Sequence, residues 1–273
     1  IPFLVLPLFG LPFQGGPIIS EFQAINDHVL ADAEENYSDW LEIYNPGAAA
    51  DLGGWFLTDD DTNLQKWEFP VGTLLASGAF LLVFASGEDA ALNGELHTNF
   101  KLAGEGEYLA LVEPDGVTIA HEYYPEYAPQ ASDISYGIRF PPNPPLIATY
   151  FSQATPGAAN GFGEPIVLDM EASPDLPAFA DNIVVEAEIV FPPNTQPAFV
   201  DLVYRVSYQA ESQVSMADDG LGSDQVAGDG IWTGTIPAGV ANPLKMLRWR
   251  VVAEDSNGAA GLHPPFVDPL GSP

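Results

Sequence analysis

The chain contains no cysteine, which excludes disulfide staples, thiolate catalysis and cysteine-ligated zinc together. The compartment stays open, because a secreted domain can rely on its core and on calcium instead of cross-links. Cations are also scarce: 7 Lys and Arg stand against 38 Asp and Glu, a formal net charge of −31. So negative a surface repels phosphate backbones and anionic headgroups, which argues against nucleic-acid partners and membrane association. The same field draws cations, keeps monomers soluble and opposes close packing of copies unless salt or divalent ions screen it. Calcium is the cofactor such a chain suits, and charge serving solubility alone accounts for the balance equally well. No stretch of a dozen residues repeats apolar positions at helical spacing without a Gly or Pro interrupting it. Nucleophile elbow, P-loop and dinucleotide fingerprint are all missing, so an enzyme is not expected.

What is present points to strands. The 26 Gly and 26 Pro punctuate clusters of Val, Ile, Phe, Tyr and Trp along 273 residues. That length suits two β-sandwiches, each with its own core. The first thirteen residues carry no charge and include Ile1, Phe3, Leu4, Val5, Leu6, Leu8, Phe9, Leu11 and Phe13. Three prolines spaced by five residues break any helix there, and the run is shorter than the roughly 20 residues of a membrane span. The absence of an initiating methionine suggests a processed end. Residues 1–16 therefore read as an extended apolar arm. Held in place, it must be buried, either on its own domain or in a neighbouring copy as an added strand. Head-to-tail addition does not close, so repetition makes a filament.

From Pro17 the strands become distinct. Ile18-Ile19-Ser20-Glu21-Phe22 is followed by Asp39-Trp40-Leu41-Glu42-Ile43-Tyr44-Asn45, in which Leu41 and Ile43 mark an aliphatic face. Asp51-Leu52-Gly53-Gly54-Trp55-Phe56-Leu57-Thr58-Asp59 comes next, then the continuous apolar run Ala79–Ala85, expected to be central and buried on both faces. Glu107–Val112 and Val117–His121 flank Glu113-Pro114-Asp115-Gly116, a hairpin turn in which Pro sets φ and Gly accepts the left-handed position. In order and in register, with a closing Ala154-Thr155-Pro156-Gly157-Ala158-Ala159-Asn160, these motifs resemble the lamin tail domain over residues 17–160. The resemblance implies an immunoglobulin-like sandwich of the kind found in nuclear lamins and secreted bacterial proteins, an accessory or interaction module without catalytic residues. The Pro-rich stretch Tyr123–Tyr150 departs from the pattern and reads as an inserted loop or a packing surface.

Beyond a short linker at 161–165, residues 161–273 form a second set of alternating strands. Val185, Ala187, Ile189 and Phe191 share one side, as do Val200, Leu202, Tyr204, Val206 and Tyr208, and Leu247, Trp249, Val251 and Ala253. This resembles an immunoglobulin or fibronectin type III-like module. Between its strands, Met216–Trp232 places Asp218, Asp219, Asp224 and Asp229 among glycines. Hard oxygens so spaced can converge on calcium; equally, they can cap backbone N–H groups as Asp-Gly turns. Asp59-Asp60-Asp61 reads as a solvated loop, and His28, His97, His121 and His263 as surface or turn residues. The five tryptophans sit in strand patterns and are expected in cores, although exposed ones would stack on carbohydrate. Asn36-Tyr37-Ser38 matches a glycosylation acceptor.

The expected whole is an all-β chain of two immunoglobulin-like sandwiches in tandem. It is expected to be secreted or on a prokaryotic cell surface and to self-associate into a homopolymer through the arm. The alternative is a monomeric adhesive or carbohydrate-binding accessory module of a larger surface protein.

Overall fold

The structure is a computed structural model that describes residues 15–240 and 245–264. Among these residues there are strands and no helix, so none that could cross a membrane. The chain divides into two compact units. The first holds residues up to 149 together with 153–161, and the second holds 150–152 and the residues from 162 onward.

Thirteen strands make up the first set: β1 (Ile18–Gln23), β2 (Asp39–Tyr44), β3 (Ala50–Asp51), β4 (Phe56–Thr58), β5 (Trp67–Glu68), β6 (Leu74–Leu75), β7 (Phe80–Ala85), β8 (Ala90–Leu92), β9 (Glu95–His97), β10 (Leu109–Val112), β11 (Ile119–Tyr123), β12 (Ser135–Ile138) and β13 (Ala148–Phe151). A seven-stranded sheet runs in the order β13-β12-β1-β2-β7-β9-β8, and a four-stranded sheet in the order β11-β10-β4-β5. Ile19, Phe22, Leu41, Ile43, Val83, Leu57, Leu109 and Leu111 fill the core and are fully buried. Alternation on β2 holds for Leu41 and Ile43, yet Trp40 and Glu42 are buried as well, so the strand is covered on both faces. The β7 run lies inside the sheet as expected, with Val83–Ala85 buried and Phe80–Leu82 half-buried.

The β10–β11 hairpin closes through Pro114-Asp115-Gly116. Gly116 has φ +72°, and Asp115 Oδ1 accepts the Val117 and Thr118 N–H groups at 3.0 and 2.8 Å. The stretch 123–150 is no inserted loop. It supplies β12, which pairs with β1, and β13, and it buries Tyr127 against Phe22 at 4.7 Å between ring centroids. Its prolines hid this: they obscure the alternation that marks a strand. Gly137 is required where β12 meets β1, because a Cβ there would lie 2.2 Å from the Ser20 carbonyl oxygen.

The second unit contains β14 (Ile166–Ser173), β15 (Ile183–Val190), β16 (Pro197–Val206), β17 (Ser212–Ser215), β18 (Ile231–Ile236), β19 (Leu247–Asp255) and β20 (Ala260–His263). A sheet ordered β14-β15-β18 and one ordered β17-β16-β19-β20 enclose a core of Val185, Ala187, Ile189, Val200, Leu202, Val251 and Ala253. The period-2 alternation of these strands fits a sandwich with one solvated face per sheet. Tyr208 lies past the end of β16 and is exposed.

Candidate functional site

The arm residues Ile1, Phe3, Leu4, Val5, Leu6, Leu8, Phe9, Leu11 and Phe13 lie outside the described residues. The polar candidate inside them is the loop between β17 and β18. Oxygens of Asp218, Asp224 and Asp229 all fall within 4.8 Å of one another. Asp219 stays apart from that group, and its Oδ1 accepts the Leu221 N–H at 2.9 Å. Three carboxylates are hard ligands of the right chemistry for calcium, though they supply only part of the six to eight oxygens it takes.

The same oxygens are also the loop's own caps. Asp218 Oδ1 accepts from Gly228 N–H at 2.6 Å, and its Oδ2 from Gly230 N–H at 3.1 Å. Asp224 Oδ2 accepts from Gly220 N–H at 2.5 Å and its Oδ1 from Val226 N–H at 3.3 Å, while Asp229 Oδ1 takes the Ile231 N–H at 2.9 Å. The Gly220 N–H, foremost among these backbone donors, holds the Asp224 carboxyl below the usual carboxylate range. Both readings of this motif therefore have a physical basis in one loop.

A second acidic feature lies on β14 and β15. Asp169 stands opposite Glu188 and Glu171 opposite Glu186. With Met170 and Ile231 these four line a shallow depression of about 160 Å³. Like charges directly opposite one another across strands weaken the pairing.

The sequence reading missed the buried acids of the first unit. Glu21 and Glu42 are both fully buried. Glu42 accepts from the Ser20 hydroxyl at 2.7 Å and from the Gly157 N–H at 2.5 Å. Glu21 accepts from the Ser135 hydroxyl at 2.6 Å and from the Thr155 N–H at 3.1 Å. Asn160 completes the clasp by donating to the Ser20 and Ile138 carbonyls, each at 2.9 Å. Desolvation outweighs these donors, raising the Glu21 carboxyl and pushing Glu42 up to about 7. The signal in the sequence was a glutamate inside each of two otherwise apolar strand motifs, followed by a closing segment rich in Thr, Gly and Asn.

Several other expectations need correction. His97 is buried, with Nδ1 3.1 Å from the Ser86 hydroxyl and its ring stacked on Phe84. His121 lies on β11 with its Nδ1 buried and without a hydrogen bond, and burial lowers its pKa to about 4. His28 is exposed, as expected. His121 shares the core side of its strand partner Leu111, whereas His97 lies beside its partner Phe84 on the other, covered side of the larger sheet, and their isolation in sequence concealed both placements. Asp59 is not solvated: its side chain is 10% exposed and pairs with Lys66. Trp40 and Trp67 are buried, and Trp55, Trp232 and Trp249 pack half-buried against the cores. Asn36 is exposed, so the acceptor sequence is accessible.

No curated protein matches the chain. Residues 16–126 match the family model of the Lamin Tail Domain, so the first unit is similar to that immunoglobulin-like family.

Proposed function

We propose that this chain is a non-enzymatic subunit of an extracellular assembly, joined head to tail by insertion of the apolar arm of one copy into the next. The likeness of the first unit to the Lamin Tail Domain supports a structural or accessory module in general. The finer reading rests on one observation: residues 1–13 are uncharged and carry nine large apolar side chains, within a chain of net charge −31. Burying them at roughly 1.5 kcal/mol or more each yields a gross gain of over about 10 kcal/mol, offset by the ordering of the arm. A recipient edge is at hand in β11, which ends its sheet, with Val117 and Ile119 exposed beside and on it.

Calcium at Asp218, Asp224 and Asp229 belongs to the same proposal, since divalent ions would screen the repulsion between acidic copies. The second unit's three-plus-four strand arrangement supports a fibronectin type III-like reading. Removing residues 1–13 is expected to leave folded monomers that no longer assemble, followed by light scattering and electron microscopy with and without calcium. Filaments that persist without the arm defeat the proposal. An intact chain that stays monomeric at high concentration favours the adhesive-module alternative.

A further inference from the structure

Asp59 and Lys66 face each other across the β4–β5 hairpin. The register sets Leu57 opposite Trp67 and Phe56 opposite Glu68, so the turn between the strands brings the ends of residues 59–66 together. Lys66 Nζ lies 2.5 Å from Asp59 Oδ1. This is inside the roughly 2.7–2.9 Å of a charge-assisted N–H···O bond. The contact also lacks the geometry of such a bond, for Oδ1 is buried and takes no hydrogen bond. The Arg250–Glu211 pair differs in direction rather than in closeness: its contacts at 2.6 and 2.9 Å are a fork of two hydrogen bonds. An amine pressed against a carboxyl group, off the hydrogen-bonding direction, is placed as a nucleophile beside an acyl carbon.

The surroundings suit that role. The Asp59 side chain is 10% exposed and that of Lys66 29%, and the Phe100 ring centroid lies 5.5 Å from Nζ. Glu107 is near enough to sense both charges: burial raises its pKa most, Asp59 raises it further, and Lys66 lowers it. Its Oε1 is fixed by the Ala103 N–H at 2.8 Å and the Tyr127 hydroxyl at 3.1 Å. Glu107 is thus a second carboxyl group, fixed in place and within the field of the pair, and the proposed role for it is to carry a proton between nitrogen and leaving oxygen.

We propose that Lys66 and Asp59 condense into an intramolecular amide that closes the loop 59–66 covalently. Starting from ammonium and carboxylate, one proton passes from Nζ to the carboxyl group, and the freed lone pair attacks Cγ. A second Nζ proton travels by way of Glu107 to the departing hydroxyl. The N–C bond forms, the C–O bond breaks and one water leaves. Charge is conserved, nothing is oxidised or reduced, and no co-reactant is consumed. Fixed proximity replaces the activation that a free amine and acid would need, and exclusion of water opposes the reverse hydrolysis. In a chain without cysteine, this supplies a staple that does not depend on redox conditions.

The test is the intact mass of the full chain after denaturation, expected to be one water lighter than the sequence. Asp-Gly steps at 115–116, 219–220 and 229–230 can also lose water as succinimides, so location matters. Trypsin cuts after Lys66 only if its amine is free. A linked chain gives one peptide running through Lys66 to Lys101, and a glutamyl-endopeptidase fragment Ile43–Glu68 with no backbone fragments between 59 and 66. The Lys66→Arg variant keeps the cation and is expected to regain the full mass. Glu107→Gln is expected to leave much of the chain unlinked, and complete linkage in that variant overturns the relay. Full sequence mass with tryptic cleavage after Lys66 in folded, aged wild-type protein overturns the amide and leaves an ion pair.

Discussion

Both units tie down an irregular segment by turning carboxylates toward backbone N–H groups, but they do so in opposite surroundings. In the first, Glu21 and Glu42 reach from neighbouring strands to Thr155 and Gly157, 134 and 115 positions away in sequence. In the second, Asp218 and Asp224 bond within their own loop, at separations of 12 residues or fewer. Burial wins for the glutamates and raises their proton affinity; hydrogen bonding wins for Asp224 and lowers it. The same bonding motif therefore carries opposite pH dependence, and the difference is set by whether desolvation or the backbone N–H donors dominate at each carboxylate.

The largest expected effect comes from removing a buried acceptor. Glu21→Leu leaves the Ser135 hydroxyl and Thr155 N–H without a partner, at roughly 1–3 kcal/mol per orphaned group. Hydrogen exchange is expected to show faster opening of β1 and β12, with the second unit unchanged. Equal loss in both units would break the comparison at its root.

The pH dependence sharpens it. A carboxyl raised from its ordinary value of 4.5 to about 7, as at Glu42, favours the folded state fully below pH 4.5, and that advantage disappears as pH rises through 7. The change is on the order of 3 kcal/mol between pH 4 and 8. Asp39, raised to about 6 chiefly by burial, acts in the same direction. Asp224 acts oppositely: its contribution is present above its ordinary 3.8 and is lost as pH falls below it. Melting curves read unit by unit are expected to show the first unit weakening toward alkali and the second toward acid, with Glu42→Gln flattening the first.

The smallest effect concerns the acidic ladder. Glu186→Lys replaces a like-charge pair with Glu171 by an attractive one and is expected to stabilise β14–β15 by about 0.5 kcal/mol. A loss of stability in thermal unfolding would mean that the ladder's carboxylates are compensated by something other than water.

Much of the fold was legible because alternation is a local signal. Leu41 and Ile43 on β2, or Val185, Ala187 and Ile189 on β15, announce the buried face by spacing alone. The Pro-Asp-Gly turn was equally plain, since Gly116 must take a positive φ. Harder to see was the stretch 123–150, whose prolines mask β12 and whose pairing with β1 joins residues more than a hundred positions apart. The acidic loop was legible as a motif, yet only its folded conformation separates Asp219 from Asp218, Asp224 and Asp229.

Composition and periodicity by themselves determined that the chain is all-β, cysteine-free and strongly acidic, because these properties follow from residue counts and from spacing along a strand. Tertiary structure decided which acids stay wet and which are dried, as exposed Asp61 and buried Glu42 show. It also decided which distant groups meet, as when Glu21 finds Thr155. Burial and long-range contact are properties of the packed whole: a side chain's solvation depends on what folds over it, and nothing in its immediate neighbours along the chain specifies that covering.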